Sequence, residues 1–262
     1  MPNGWTPFPY DAAPYRHDAQ GLAARWPALH AGDAEPLPGD PRLLDAWALF
    51  HAGDFARAVR AGLRLCADGV TGASSVANQA QLAYASYLEP NERAKIALFH
   101  EVSTRAQALI ARQPRNAAAH YELAVALMRC SRSLNVAKAM SHGVTSRIRL
   151  ALETTLELKP LHADAHLALG TFHAETIDKL GGLIGSTQGA SKEAGITCVR
   201  EGLRLNPASA VAKVAAADAL VMLAGDKRLK EAEQLYAEAA ATAPLDAVEK
   251  LAVELARAGL ED

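Results

Sequence analysis

The stretch His120-Tyr-Glu-Leu-Ala-Val-Ala-Leu127 is matched 46 residues later by His166-Leu-Ala-Leu-Gly-Thr-Phe-His173. Each stretch begins six residues after a proline, Pro114 in the first case and Pro160 in the second. Apolar residues in both stretches recur at the spacing of one face of an α-helix. The shared phase of proline and helix predicts a repeating helical unit with a period longer than a single helix.

Small residues recur at one position of this repeat. Ala124 and Gly170 occupy it in the two clear copies, and Ala217 occupies it in a weaker third copy, Val214-Ala-Ala-Ala-Asp-Ala-Leu220. Small side chains allow two helix backbones to approach closely, and larger ones overpack such a contact. We therefore expect these three residues to lie where paired helices cross.

Prolines divide the rest of the chain into segments of helical length. Because proline within a helix costs about 3 kcal/mol, these positions are expected between helices. The prolines concerned are Pro90, Pro114, Pro160, Pro207 and Pro244. The helices predicted from apolar periodicity and from the positions of the prolines are 18–29, 41–52, 55–67, 74–88, 91–112, 116–130, 146–158, 162–178, 191–205, 209–224, 227–242 and 245–258.

Composition favours an all-α protein and excludes several function classes. Half of the residues are apolar but only 5% are aromatic, so the core is built mostly from Ala, Leu and Val, as suits packed helices better than sheets. A net charge of −2 argues against binding nucleic acid. No apolar run approaches the roughly 18–20 residues that span a bilayer. Three scattered cysteines and no apolar signal sequence favour the cytoplasm, and the Ala- and Arg-rich usage suits a bacterial source.

The beginning of the chain differs from the remainder. Eight of the thirteen prolines and all three tryptophans fall within the first 50 residues. Residues 1–40 are therefore predicted to form an arm with one short helix, and residues 41–258 the helical repeat domain. Because disordered tails are poor in large aromatic residues, residues 1–16 of the arm are expected to lie against helical surface, in the concave groove of their own chain or of a partner. Its first aromatic residues are Trp5, Phe8, Tyr10 and Tyr15.

The helical pairs with small contact residues and closing prolines resemble the tetratricopeptide repeat. The stretch Ala52-Gly-Asp-Phe-Ala-Arg-Ala58 is similar to the turn and second helix of that repeat. The resemblance implies a right-handed superhelical stack of helical hairpins. The period here exceeds the usual 34 residues, since about a dozen extra residues, 135–146 and 181–192, separate the two helices of two hairpins. Gly143 and Gly189 lie 46 residues apart, so the two insertions look like copies of each other.

Two narrower resemblances rest on these insertions. The lengthened hairpin, the long segment 92–112 and the phrase Val136-Ala-Lys-Ala139 are similar to the regulator-of-microtubule-dynamics family. The phrase Gln188-Gly-Ala-Ser-Lys192 is similar to one in uncharacterised bacterial tetratricopeptide proteins.

The tetratricopeptide resemblance implies a non-catalytic adaptor or scaffold that binds a protein or peptide in a concave groove. In the geometry of the repeat, the first helix of each hairpin faces this groove. Its expected contact residues are Leu44, Trp47, Phe50, Tyr84, Tyr87, Tyr121, Val125, Arg129, Thr171 and Glu175. One alternative is a self-assembling structural protein that exchanges its N-terminal arm with another copy. The other is a binder of a small anionic ligand at the glycine-rich insertion 181–192.

A basic stretch is a further candidate for binding. No acidic residue occurs between Glu122 and Glu153, whereas several basic residues do. Around the first insertion they would form a basic lip, which we define as Arg132, Lys138, Arg147 and Arg149.

Motifs for catalysis, cofactors or metals are not expected in this sequence. The glycines of 181–192 lack the order of a phosphate-binding loop, although a glycine-rich turn before a helix can bind an anion. His162, His166 and His173 lie near one another on a predicted helix, but packing or hydrogen bonding explains them better than metal ligation. We find no catalytic Ser, Cys or zinc motif of known spacing, and therefore predict neither enzymatic activity nor a cofactor.

Overall fold

The computed structural model describes residues 4–132 and 143–261, and no residue of these two ranges lies in a β-strand. Short 3₁₀ turns occur at Ala13–Tyr15 and Gly225–Arg228. The α-helices are α1 Ala19–Leu29, α2 Pro41–His51, α3 Phe55–Ala67, α4 Ala73–Tyr87, α5 Glu92–Arg112, α6 Ala117–Ser131, α7 Val144–Leu158, α8 Ala163–Thr187, α9 Lys192–Leu205, α10 Ala210–Ala224, α11 Leu229–Ala240 and α12 Ala247–Glu261. The predicted all-α hairpin stack is confirmed.

Side-chain caps fix where several helices begin. Asn91, Ser191 and Ser209 each accept a hydrogen bond from the main-chain N–H three residues later, which satisfies a donor at the start of α5, α9 and α10. The five prolines predicted to separate helices all lie outside them. Pro27 is the exception in the arm: it lies inside the last turns of α1, and the helix continues to Leu29.

The described residues fall into two compact units. The first consists of residues 4–30, 35–130 and 245–248. The second consists of residues 31–34, 131–132, 143–244 and 249–261.

The first unit contains the hairpin of α2 and α3 and the hairpin of α4 and α5. Gly62 on α3 allows close approach to α4, because a Cβ at this position would lie 2.9 Å from the carbonyl oxygen of Ala73. Ala124 on α6 has no exposed surface. One apolar cluster of this unit consists of Leu82, Ala85, Phe99, Val102 and Ala126.

The second unit is packed around α8, α9 and α10. A Cβ on Gly170 would lie 2.6 Å from Cγ2 of Val199 and 3.1 Å from the carbonyl oxygen of Gly195. No side chain therefore fits between α8 and α9 at this crossing, as the repeat predicted. Ala217 on α10 is fully buried. The apolar residues around this crossing include Leu167, Ala174, Val199, Leu220 and Leu223.

The second insertion differs from the predicted inter-helix loop. Helical structure extends to Thr187 rather than ending near residue 178, with one break at Gly181, where φ is 74° and ψ is 159°. Gly189 has φ of 80°, and Gly143, its counterpart in the first insertion, has φ of 60° immediately before α7. Positive φ is readily adopted by glycine, so both insertions place a left-handed glycine shortly before the second helix. Residues 135–142 of the first insertion lie outside the described residues.

Candidate functional site

Tyr84, near the end of α4, is the centre of the strongest candidate site. The ring of Trp5 stacks on the ring of Tyr84 with 3.8 Å between centroids and 6° between planes. The main-chain N–H of Thr6 donates to the Tyr84 hydroxyl at 3.2 Å, and that hydroxyl donates to Oε2 of Glu89 at 3.0 Å. Burial is the main reason that the pKa of Tyr84 is raised, so the phenol remains neutral and able to donate. The arm is thus held by a ring contact and a main-chain hydrogen bond.

Phe8 makes the second contact of the arm, at the turn between α2 and α3. A Cβ on Gly53 would lie 2.7 Å from Cγ of Phe8, and Gly53 has φ of 81°. Glycine is therefore required at this turn both for its backbone conformation and for the space that the ring occupies. Phe8 also meets the rings of Tyr10 and Tyr15 edge to face, at 5.5 and 6.2 Å. We call Ala52–Ala56 together with Tyr84 the arm-binding surface.

An aromatic and histidine cluster lies in the core of the same unit. The rings of Trp26 and His30 stack at 4.0 Å, and Trp26 meets Trp47 at right angles at 5.8 Å. His51 Nε2 lies 3.2 Å from His30 Nε2, and His51 Nδ1 lies 2.8 Å from Oδ2 of Asp246. Each of these five side chains is at most 6% exposed. The cluster connects α1, α2 and the segment before α12.

This packing corrects part of the predicted groove. Leu44, Trp47, Phe50 and Tyr84 are 9%, 0%, 7% and 2% exposed, so they are buried in the free chain and do not form open groove surface. Trp26 of α1 packs against Trp47, and Trp5 of the arm covers Tyr84. The repeat geometry alone could not predict this cover, because the arm, which includes α1, precedes the repeats.

The other predicted groove residues keep part of their surface exposed. In the first unit these are Tyr87, Tyr121, Val125 and Arg129, and in the second unit they are Thr171 and Glu175. Val125 also packs partly against the apolar cluster of α4, α5 and α6.

A buried polar network in the first unit was not predicted from the sequence. Glu122 on α6 is 1% exposed and accepts a hydrogen bond from Nδ2 of Asn78 at 2.7 Å. Arg105 on α5 donates to Oδ1 of Asn78 and to Oε1 of Gln81, each at 2.8 Å. Burial is the largest cause of a pKa well above the ordinary value for Glu122, which favours its neutral form. Three well-separated segments form this network, so no local pattern in the sequence reveals it.

The basic lip is partly neutralised by acids outside the basic stretch. Arg132 donates through Nε to Oε1 of Glu175 at 2.9 Å, and Arg149 donates to Oε1 of Glu153 at 2.9 Å. Arg147 is exposed. Lys138 lies outside the described residues, as does the phrase at 136–139.

Two main-chain N–H groups at the end of the glycine-rich turn already have acceptors within the chain. The N–H of Ala194 donates to the hydroxyl of Ser191, and the N–H of Ser191 donates to Nδ1 of His173 at 3.3 Å. The side chain of Arg149 lies against Gly189, where a Cβ would be 2.9 Å from Nε. The turn therefore packs on α7 and α8.

The histidines of the repeat make main-chain hydrogen bonds. Nε2 of His120 lies 2.9 Å from the carbonyl oxygen of Pro114, and Nε2 of His166 lies 2.9 Å from that of Pro160. His162 instead caps α8 by accepting from Ala165 N–H. Within the described ranges, no group of three or more His, Cys, Asp or Glu side chains is arranged to hold a metal ion.

Comparison with known proteins identifies the fold. No protein-family model matches the chain, and no curated protein sequence matches it. The crystal structure of a thermophilic TPR protein from Thermus thermophilus superimposes with a TM-score of 0.59 at 19% identity, covering 83% of this chain and 98% of that one. Neither narrower resemblance, to regulators of microtubule dynamics or to uncharacterised bacterial proteins, is supported by these comparisons. Among the described residues, no helix combines the length and apolar character needed to cross a bilayer. Together with the hairpins and their glycine-mediated crossings, the structural likeness shows that this chain has the tetratricopeptide-repeat fold.

Proposed function

We propose that the chain is a non-catalytic adaptor that binds an extended segment of a protein or peptide on the first helices of its hairpins. The observation that carries the proposal is the seating of residues 5–8 against Tyr84 and Gly53. This surface already holds a proline-containing segment outside any helix by ring stacking and one main-chain hydrogen bond. Tetratricopeptide stacks expose extended surfaces suited to such binding.

In the proposal, each unit also uses its own half-exposed groove residues. Tyr87, Tyr121, Val125 and Arg129 would contact a bound segment in the first unit, and Thr171 and Glu175 would do so in the second. The basic lip would favour partners with acidic residues, although Glu175 and Glu153 reduce its charge. The adaptor would act in the bacterial cytoplasm, which the presence of Cys66, Cys130 and Cys198 as thiols supports.

Selection from a displayed peptide library on the immobilised full chain tests this proposal. Peptides that are enriched would be synthesised, and their affinity measured by fluorescence anisotropy. We expect Tyr121→Ala combined with Arg129→Ala to weaken binding by roughly tenfold or more, because truncating a central contact residue costs more than about 1 kcal/mol. Arg204→Ala, at an exposed position on α9, is the matched control. A selection without enrichment would contradict the adaptor function. Peptides bound equally by all three chains would contradict the role of Tyr121 and Arg129 in the groove.

A further inference from the structure

We propose that residues 4–12 are a built-in competitor of the partner, and that the arm-binding surface takes extended segments in which aromatic residues alternate with proline. The inference rests on the proposed function. It adds the class of ligand that the adaptor binds and the way in which the arm regulates that binding. The competitor has the sequence Trp5-Thr-Pro-Phe-Pro-Tyr10. It shows which chemistry this surface recognises, because the chain itself supplies a bound example.

The contacts define a spacing rule for the ligand. Trp5 and Phe8 are half-buried, whereas Thr6, Pro7 and Pro9 are exposed. Aromatic residues three positions apart lie on the same side of a polyproline II helix, which has three residues per turn. Prolines between them limit the entropy that an extended segment loses on binding. The surface therefore fits the pattern aromatic-x-Pro-aromatic.

Each part of the pattern has a matching group on the surface. The face of Tyr84 stacks on the first aromatic ring, and its hydroxyl accepts the N–H of the next residue. The second ring fits over Gly53, where any side chain would clash with it. Two ring positions and one main-chain acceptor are enough to fix the direction and register of a bound segment.

The arm is held loosely enough to be exchanged. Most of its side chains from Gly4 to Asp11 are exposed, and Tyr10 is 37% exposed. The chain is firmly anchored only afterwards, by Tyr15, Leu22 and Trp26, which are 7%, 0% and 4% exposed. A competing segment can thus displace the first dozen residues while α1 stays in place.

The test measures competition with a synthetic fluorescein-labelled peptide of residues 1–12. Its anisotropy would be followed with the wild-type chain and with the full-length Trp5→Ala/Phe8→Ala variant, whose arm lacks both rings. We expect the variant to bind the peptide at least ~10-fold more tightly, since an arm that occupies the site in about nine-tenths of molecules lowers the apparent affinity by that factor. Leu37→Ala, which shortens an exposed apolar side chain outside residues 4–12, should bind like the wild type.

Two further variants assign the binding to Tyr84. In the Trp5→Ala/Phe8→Ala background, Tyr84→Ala should abolish peptide binding, and Tyr84→Phe should weaken it less, because the ring remains and only the hydroxyl is lost. A labelled peptide carrying Trp5→Ala and Phe8→Ala should not bind any chain. Circular dichroism verifies that each variant is folded, and a folded Trp5→Ala/Phe8→Ala chain that does not bind the peptide overturns the proposal.

Two other outcomes would also overturn the proposal. Equal affinity of the wild type and the arm variant would show that the arm does not compete. A wild-type dimer that becomes monomeric in the arm variant, measured by light scattering, would show that the arm is exchanged between copies instead. If the displayed library still yields peptides that depend on Tyr121 and Arg129, the adaptor function stands while this inference fails.

Discussion

The Nε2 atoms of His30 and His51 face each other at 3.2 Å in the core of the first unit. Two imidazole nitrogens form a hydrogen bond only when one carries hydrogen and the other does not. Nδ1 of His51 lies 2.8 Å from the carboxylate of Asp246, which as an anion can only accept. Nδ1–H of His51 therefore donates to Asp246, and at the Nε2 contact one of the two histidines donates while the other accepts.

Replacing Asp246 should destabilise the first unit. Asp246→Ala leaves the buried Nδ1–H of His51 without this acceptor, at a cost of about 1–3 kcal/mol. Asp246→Asn keeps a side-chain carbonyl that can accept, so its cost should be smaller. Urea unfolding followed by circular dichroism measures both, with Asp226→Ala at an exposed position as the control. Equal midpoints for Asp246→Ala and Asp226→Ala would contradict the assigned hydrogen bond.

Gly170→Ala should destabilise the second unit, although alanine is the better helix former. The added Cβ would lie 2.6 Å from Val199 Cγ2 and 3.1 Å from the backbone oxygen of Gly195. Overpacking of this kind costs typically about 1–3 kcal/mol. Gly182→Ala is the control, because nothing lies within 4 Å of the Cβ that it would add. A thermal melt in which Gly170→Ala matches the wild type would show that α8 and α9 do not cross here.

The helices and their crossings could be predicted because the information is local. Helical periodicity and prolines predicted most helix ends to within two residues. Gly170 occupies the position of the repeat where small residues recur, and this indicated a close helix crossing. The extension of α8 past Gly181 was missed, because a run of glycines favours a loop by propensity alone.

The candidate site was predicted less well, because its surroundings are not local. Trp47 and Tyr84 occupy positions that face the groove in the repeat, but Trp26 and Trp5 cover them. The number of aromatic residues in the arm predicted that they would dock on helical surface. It did not predict which helix they would cover. The sequence did not indicate a role for Glu122, since its partner Asn78 lies on another helix.

The two histidines that open successive repeats should make equal, small contributions. His120 and His166 each hydrogen-bond a proline carbonyl six residues earlier, with the same 2.9 Å distance. Because both rings are only half-buried, His120→Ala and His166→Ala should each cost about 0.5–1.5 kcal/mol, near the lower end. His100→Ala, on the exposed side of α5, provides the control in the same thermal melts. A large effect of one variant alone would contradict their equivalence in the repeat.

Glu122 should make the stability of the first unit depend on pH. Burial, reinforced by the charge of Glu35, raises the pKa of Glu122 well above its ordinary 4.5, although Asn78 and Arg105 oppose the shift. Above pH 4.5 the unfolded chain releases this proton while the folded chain retains it. The contribution of Glu122 to stability is therefore complete below the unfolded pKa and is lost as the pH rises toward the folded pKa.

Glu122→Gln isolates this effect, because glutamine has a similar shape and can still accept from Asn78 without carrying a titrating proton. The melting temperature of the variant relative to the wild type should therefore increase from about pH 5 to pH 8, in the direction that linkage requires. Glu157→Gln, at an exposed position on α7, should show no such trend. A constant difference across this range would mean that Glu122 is ionised in the folded chain, held by Arg105 and Asn78 despite its burial. A difference that decreases with pH would reverse the sign of the shift and contradict a neutral carboxyl in this network.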